Sequence, residues 1–174
     1  QKLELGQLRM RKENKNIKDT IDKAVESLIP VAERNNIEIK SNILDMQVNH
    51  DPVRISQVVT NLIKNSLIAV QPNSGKIKVS IESLPTAVKV SIEDNGIGIP
   101  HEKQKNLFTK FYQVDATLTR EKGGSGLGLA ICKGIINNHG GEITMQSAAT
   151  QGAIFSFTIP KEESDQKKSP IGTS

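Results

Sequence analysis

The chain has 174 residues, 36% of them hydrophobic and 24% charged, and a net charge of +4 spread along its length. That is the size and balance of one soluble globular domain with short appendages, able to bury a core. A lone cysteine, Cys132, excludes an internal disulfide and a cysteine metal cluster, and the chain carries neither a bilayer-length apolar run nor the concentrated basic block with stacking aromatics that nucleic acid requires.

Along the chain, Leu3, Leu5, Leu8 and Met10 among charges read as the last turns of a helix over residues 1–14. The opening on Gln1 rather than Met leads to the expectation of an excised piece of a longer protein. Residues 17–34 have helical periodicity, with Ile21, Ala24, Val25, Leu28, Ile29 and Ala32 on one face. Residues 37–40 alternate like a strand, and 46–49 are a second short candidate. Asp51-Pro52 predicts a helix start, aspartate capping and proline in the first turn, for a helix over 52–70. Residues 76–84 and 87–93 alternate as an antiparallel pair with one buried face. From 95 to 125 periodicity is poor apart from a helical patch at 102–108, the mark of a functional segment, here read as a lid mobile without ligand. A helix over 126–138 closes on Gly140, residues 142–147 and 153–159 form a last hairpin, and 161–174 reads as a disordered tail. The implied fold is an α/β two-layer sandwich over residues 15–160, a mixed but mostly antiparallel sheet covered on one face by three helices.

Three segments carry chemistry. The strand ending at Asp94 dissolves into Gly96 and Gly98, which sets a fixed carboxylate acceptor beside bare backbone, a way to hold a flat polar ring. On the 52–70 helix, Gln57, Asn61 and Asn65 repeat at i, i+4, i+8 as a carboxamide ridge. Asn is a poor helix former, and its amide oxygen can ligate Mg²⁺ without adding negative charge beside phosphates. The cluster Gly123-Gly-Ser-Gly-Leu-Gly-Leu129 lies directly before a helix, where N–H groups and the helix dipole make an anion site. Its spacing fits neither the P-loop nor the dinucleotide fingerprint. Cys132, in an apolar helical stretch, reads as buried rather than reactive.

In that order and spacing, Asn61-Leu-Ile-Lys-Asn65, Asp94-Asn-Gly-Ile-Gly-Ile-Pro100, Leu107-Phe-Thr-Lys-Phe-Tyr112 and Gly124-Ser-Gly-Leu-Gly-Leu129 resemble the four boxes of the sensor histidine kinase ATP-binding domain. The resemblance runs from near Ile17 to Pro160. It implies the Bergerat fold, shared with certain chaperone, topoisomerase and mismatch-repair ATPases, and ATP and Mg²⁺ as cofactors. By position, Asn61 resembles the Mg²⁺ ligand and Asn65 the neighbouring phosphate-side residue, the two assigned to catalysis. Asp94 resembles the acceptor for the adenine amino group, with Gly96, Gly98 and Ile99 shaping the pocket. Phe108 and Phe111 resemble the lid anchors, with core packing as their other reading. Gly124, Ser125, Gly126, Leu127 and Gly128 resemble the phosphate loop and the helix start beneath it. Two positions depart from the common pattern: Ile68 and Gln113 stand where relatives often place lysine and arginine. Lys64, Lys110, Arg120 and Lys122 are the candidates to supply that charge.

The resemblance implies transfer of the ATP γ-phosphoryl group to a histidine on a dimerising helical hairpin, then signalling to a response regulator. None of His50, His101 and His139 has that setting, and His139 by the Gly140 cap reads as a cation stabilising a helix C-terminus. The expectation is therefore a monomeric, cytoplasmic catalytic piece lacking its own acceptor, from a homodimeric parent whose membrane attachment is open. The alternatives are an ATPase of the same fold, disfavoured because Gln57 stands where a water-activating glutamate is needed, and a nucleotide-sensing module without transfer.

Overall fold

The computed structural model describes residues 9–109, 128–147 and 152–161. It opens with strand β1 (Glu13–Asn16), which runs straight into helix α1 (Ile17–Arg34). Asn16 caps that helix, its side-chain oxygen accepting from the Lys18 N–H at 3.0 Å. Strands β2 (Glu38–Asn42) and β3 (Gln47–His50) follow, then helix α2 (Pro52–Ala69), capped by Asp51, whose carboxylate accepts from the Arg54 N–H at 3.1 Å. Strands β4 (Lys76–Ser83) and β5 (Ala87–Asp94), the one-turn helix α3 (His101–Gln104), helix α4 (Gly128–Asn138) and strands β6 (Ile143–Ser147) and β7 (Ala153–Pro160) complete the chain.

Five strands form one sheet in the order β2-β4-β5-β7-β6, with β2 parallel to β4 and every other pairing antiparallel. Strict alternation sends Ile77, Val79, Ile81, Val88, Val90, Ile92, Phe155, Phe157 and Ile159 into the core. Helices α1, α2 and α4 cover that face, with α2 in the middle against both neighbours. The other face meets solvent through Lys76, Lys78 and Glu93. The expected two-layer α/β sandwich is the observed one.

Four details differ from the sequence reading. Residues 9–12 are irregular and 13–16 form a strand rather than a helix end, because β1 pairs antiparallel with β3, Glu13 opposite His50 and Asn16 opposite Gln47. That pairing puts β3 in a separate two-stranded sheet. The patch at 102–108 is a single helical turn followed by i→i+3 turns, with Leu107 and Thr109 N–H groups donating to Gln104 and Asn106 carbonyls. Lys161, assigned to the tail, is tied to the fold: its N–H donates to the Thr86 carbonyl at 3.0 Å and its Nζ to Ser83 Oγ at 2.7 Å.

Candidate functional site

Helix α2 is the common wall of the site. The ridge that carries Asn61 and Asn65 continues through Ser66 and Ala69, and three different segments meet it there. The alternation that buries Val88, Val90 and Ile92 puts Asp94 on the same inward face at the end of β5, where it is 6% exposed. Its carboxylate accepts from Ser66 Oγ on α2 at 3.0 Å and from the Gly96 N–H at 2.8 Å. Burial pushes the Asp94 carboxyl above the usual carboxylate range, while the bonds from Gly96, Ser66 and the Ala153 backbone pull it back. Three donors on two oxygens still leave the carboxylate acceptor capacity to offer.

The loop after Asp94 lies directly on the end of α2. A Cβ on Gly96 would stand 2.5 Å from the Ala69 carbonyl oxygen, so only glycine lets the strand exit pass there. The Ile97 N–H then donates to that same carbonyl at 3.2 Å. Gly98 is buried with φ +75°. Half-buried Ile99 donates its N–H to Ser147 Oγ at 2.8 Å, Ser147 Oγ donates to the Gly152 carbonyl at 2.6 Å, and Gln104 Nε2 donates to the carbonyls of both Ile99 and Ser147 at 2.9 Å. Phe108 packs edge-on against Phe155, ring centroids 6.3 Å apart, which is the core-packing reading of that residue.

At the other end of the ridge, half-buried Asn61 faces the start of α4. A Cβ on Gly128 would lie 3.8 Å from the Asn61 amide, and Asn61 Nδ2 points to Cys132 Sγ at 3.8 Å. Cys132 is fully buried and its thiol is pushed up to about 12 by burial, a structural residue as the sequence indicates. Asn65, also half-buried, sits one turn further along α2. The structure thus brings Asn61, Asn65, Asp94, Gly96 and Gly128 to one helix wall. Phe111, Gly124, Ser125, Gly126 and Leu127, with Lys110, Gln113, Arg120 and Lys122, lie outside the described residues, as does the expected lid beyond residue 109. Sequence reasoning missed Ser66, Ser147, Gln104 and Gly152. Only Ser66 left a signal, one residue past Asn65 on the motif helix.

The histidines correct one expectation. His139 is buried, donates from Nδ1 to the Ile135 carbonyl at 2.9 Å and accepts the Asp51 N–H on Nε2 at 3.0 Å. A ring nitrogen that accepts is bare, so His139 is neutral rather than the cation expected beside a helix C-terminus. His50 is wholly buried and His101 is exposed at the head of α3.

A model of the family described as histidine kinase-, DNA gyrase B-, and HSP90-like ATPase matches residues 50–163. The chain belongs to this family, as a sensor histidine kinase ATP-binding domain. It is 35% identical to the autoinducer 2 sensor kinase/phosphatase LuxQ of Vibrio vulnificus over 97% of this chain and 21% of LuxQ. It is 34% identical to the signal transduction histidine-protein kinase BarA of Escherichia coli over 91% of this chain and 18% of BarA. The chain therefore spans about a fifth of the length of these curated relatives. The catalytic domain of histidine kinase ThkA superposes with a TM-score of 0.73 at 32% identity, covering 88% of this chain and 99% of that one. ThkA in complex with response regulator protein TrrA matches with the same score and identity, over 87% of this chain and 42% of that one.

Proposed function

We propose that this domain binds Mg-ATP and transfers the γ-phosphoryl group to a histidine on a helical hairpin of a longer, homodimeric parent kinase, which then signals to a response regulator. Asp94 is the observation that carries the reading. A carboxylate buried at the end of a core strand, held by Ser66 and Gly96 with lone pairs remaining, suits an amino donor on a flat ring, and adenine has one. Guanine would set a carbonyl against it and leave a buried acceptor unpaired, at roughly 1–3 kcal/mol. ATP should bind at least about tenfold more tightly than GTP in calorimetry, and Asp94→Asn should erase the preference. Equal affinities for the two nucleotides would remove the assignment.

The residues present fit Mg²⁺ that arrives with phosphate. Among the described residues no group of three or more His, Cys, Asp or Glu could hold a metal ion, so a cation needs phosphate oxygens as its main ligands. Asn61 would offer one neutral amide oxygen from the wall beside Gly128, and Asn65, one turn further along α2, would serve the phosphate side. Mg²⁺, when bound, neutralises charge on the phosphate oxygens. The protein's own share is positioning: α2 fixes the Asn ridge relative to Asp94 through Ser66, and Gly96 lets the adenine-side loop close on that same helix.

An ATPase of the same fold is less well supported. Position 57, one turn before Asn61, holds an amide whose Oε1 accepts from Arg54 Nη1 at 3.4 Å, and an amide cannot activate water as a base. The described chain contains no helix long and apolar enough to cross a membrane. The reading places this domain on the cytoplasmic side, where ATP and a response regulator are found. Incubation with radiolabelled ATP and the parent's hairpin should give acid-labile, base-stable label on the hairpin. ATP binding without label would favour a nucleotide-sensing module.

A further inference from the structure

Away from the nucleotide site, α1, β3, α2 and α4 meet at two buried imidazoles and a carboxylate. His50 ends β3, Asp51 caps α2 and His139 follows α4; their exposures are 0%, 4% and 4%. Asp51 is the shared anchor. Its N–H donates to His139 Nε2, one carboxylate oxygen accepts from the Arg54 N–H, and the other accepts from the Arg11 N–H at 2.8 Å. The segment that precedes β1, the start of α2 and the end of α4 are thereby fastened at one residue.

The two imidazoles answer a proton differently. His50 donates from Nδ1 to the Val48 carbonyl at 2.8 Å, and its Nε2 lies 2.8 Å from the Thr20 hydroxyl. That hydroxyl can rotate and accept, so a proton on His50 keeps its hydrogen bond. His139 Nε2 faces an amide N–H, which can only donate. A proton there sets N–H against N–H, and one side has to move.

We propose that His139 is a proton-operated latch: neutral, it ties the end of α4 to Asp51, the residue whose carboxylate also fastens the segment preceding β1, and protonated, it displaces that shared anchor and lets both go. The opposite end of α4, Gly128, lies against Asn61, so the latch controls how α4 sits on the helix that forms the site wall. The charged groups around it act in both senses. Lys12 and His50 oppose a proton on His139 and Asp51 favours one; for His50, Asp51 and Glu13 favour it and Lys15 opposes. Burial outweighs these and lowers both imidazoles from the ordinary 6.5, so the latch is closed at neutral pH and opens as acid is added.

The latch does not depend on the nucleotide reading and is tested without ligand. The chain, labelled with ¹⁵N, is titrated from pH 7.5 to 5, following imidazole nitrogen shifts and amide protection corrected for intrinsic exchange. Protection at Arg11 and Asp51 should fall in step with protonation of His139, about tenfold for each unit by which latching depresses its pKa, while Val79 and Val90 in the β4–β5 ladder stay protected. His139→Gln, whose side-chain carbonyl accepts at every pH, should flatten the step, and His50→Gln should leave it in place. Unchanged protection at Arg11 and Asp51 through the His139 titration overturns the proposal, and so does an identical step in His139→Gln. The unsubstituted protein decides by itself should a variant not fold.

Discussion

Gly152 occupies φ +83°, where a Cβ would run into the Asp94 carbonyl oxygen. Gly152→Ala should therefore cost roughly 1–3 kcal/mol of strain in urea unfolding, and it should weaken nucleotide binding because the backbone carbonyl it displaces belongs to Asp94, the residue whose side chain supplies the site carboxylate. Ser66→Ala removes a donor to the Asp94 carboxylate, so the raised Asp94 pKa should climb further. Nucleotide affinity, which needs the ionised acceptor, should then fade at a higher pH than in the parent sequence as acid is added. A binding profile unmoved by the substitution would detach Ser66 from the site. Cys132 should be silent toward a thiol reagent at pH 8 in the native protein and react once urea exposes it, since burial lifts its thiol to about 12. At this scale Asp94 was legible because a β-branched run ended on it. Ser147 and Gln104 were not, since what makes them matter is proximity to Ile99 across 48 and 5 residues of chain, which no local pattern encodes.

Among the elements, α2 bears the most consequence, since its cap, its core stripe and its amide ridge serve three purposes. Asp51→Ala removes the cap bond to Arg54 and the bond from Arg11 together. The cap alone is worth about 0.5–2 kcal/mol, and the loss should appear as a lower thermal midpoint with early exchange at Val53 and Arg54. Asp51→Asn keeps an acceptor and should recover most of the difference. The start of α2 could be read from Asp51-Pro52 because capping is local chemistry. Strand β1 could not: its sequence Glu-Asn-Lys-Asn has little intrinsic strand preference, and it exists because β3, more than thirty residues on, supplies the ladder. The cationic reading of His139 failed for the same kind of reason. A helix end predicts a favourable charge, but the Asp51 N–H, far away in sequence, demands a bare nitrogen.

For the molecule as a whole, the buried imidazoles make stability depend on pH. Both pKa values are lowered by folding, so below about 6.5 the unfolded chain holds more protons than the native one, and acid favours unfolding. The contribution is complete above pH 6.5 and is lost as pH falls through the folded values, with a slope of at most about 1.4 kcal/mol per pH unit for each imidazole. Asp94, raised by folding, acts in the opposite sense, losing stability as pH rises through its folded value. Urea midpoints between pH 7.5 and 5 should decline, less so in His139→Gln. The strand order carries a different consequence. Its two outermost strands, β2 and β6, are only five residues long, and among the described residues each has a strand neighbour on one side alone. On β2 the Lys40–Glu38 ion pair, 3.2 Å apart and well exposed, adds little to folding. Its value lies between molecules, because solvated charges at a sheet border discourage a second copy from adding a strand there. Replacing Glu38 and Lys40 together with valine should leave the unfolding midpoint almost where it was, yet light scattering should rise with protein concentration as the chains begin to precipitate.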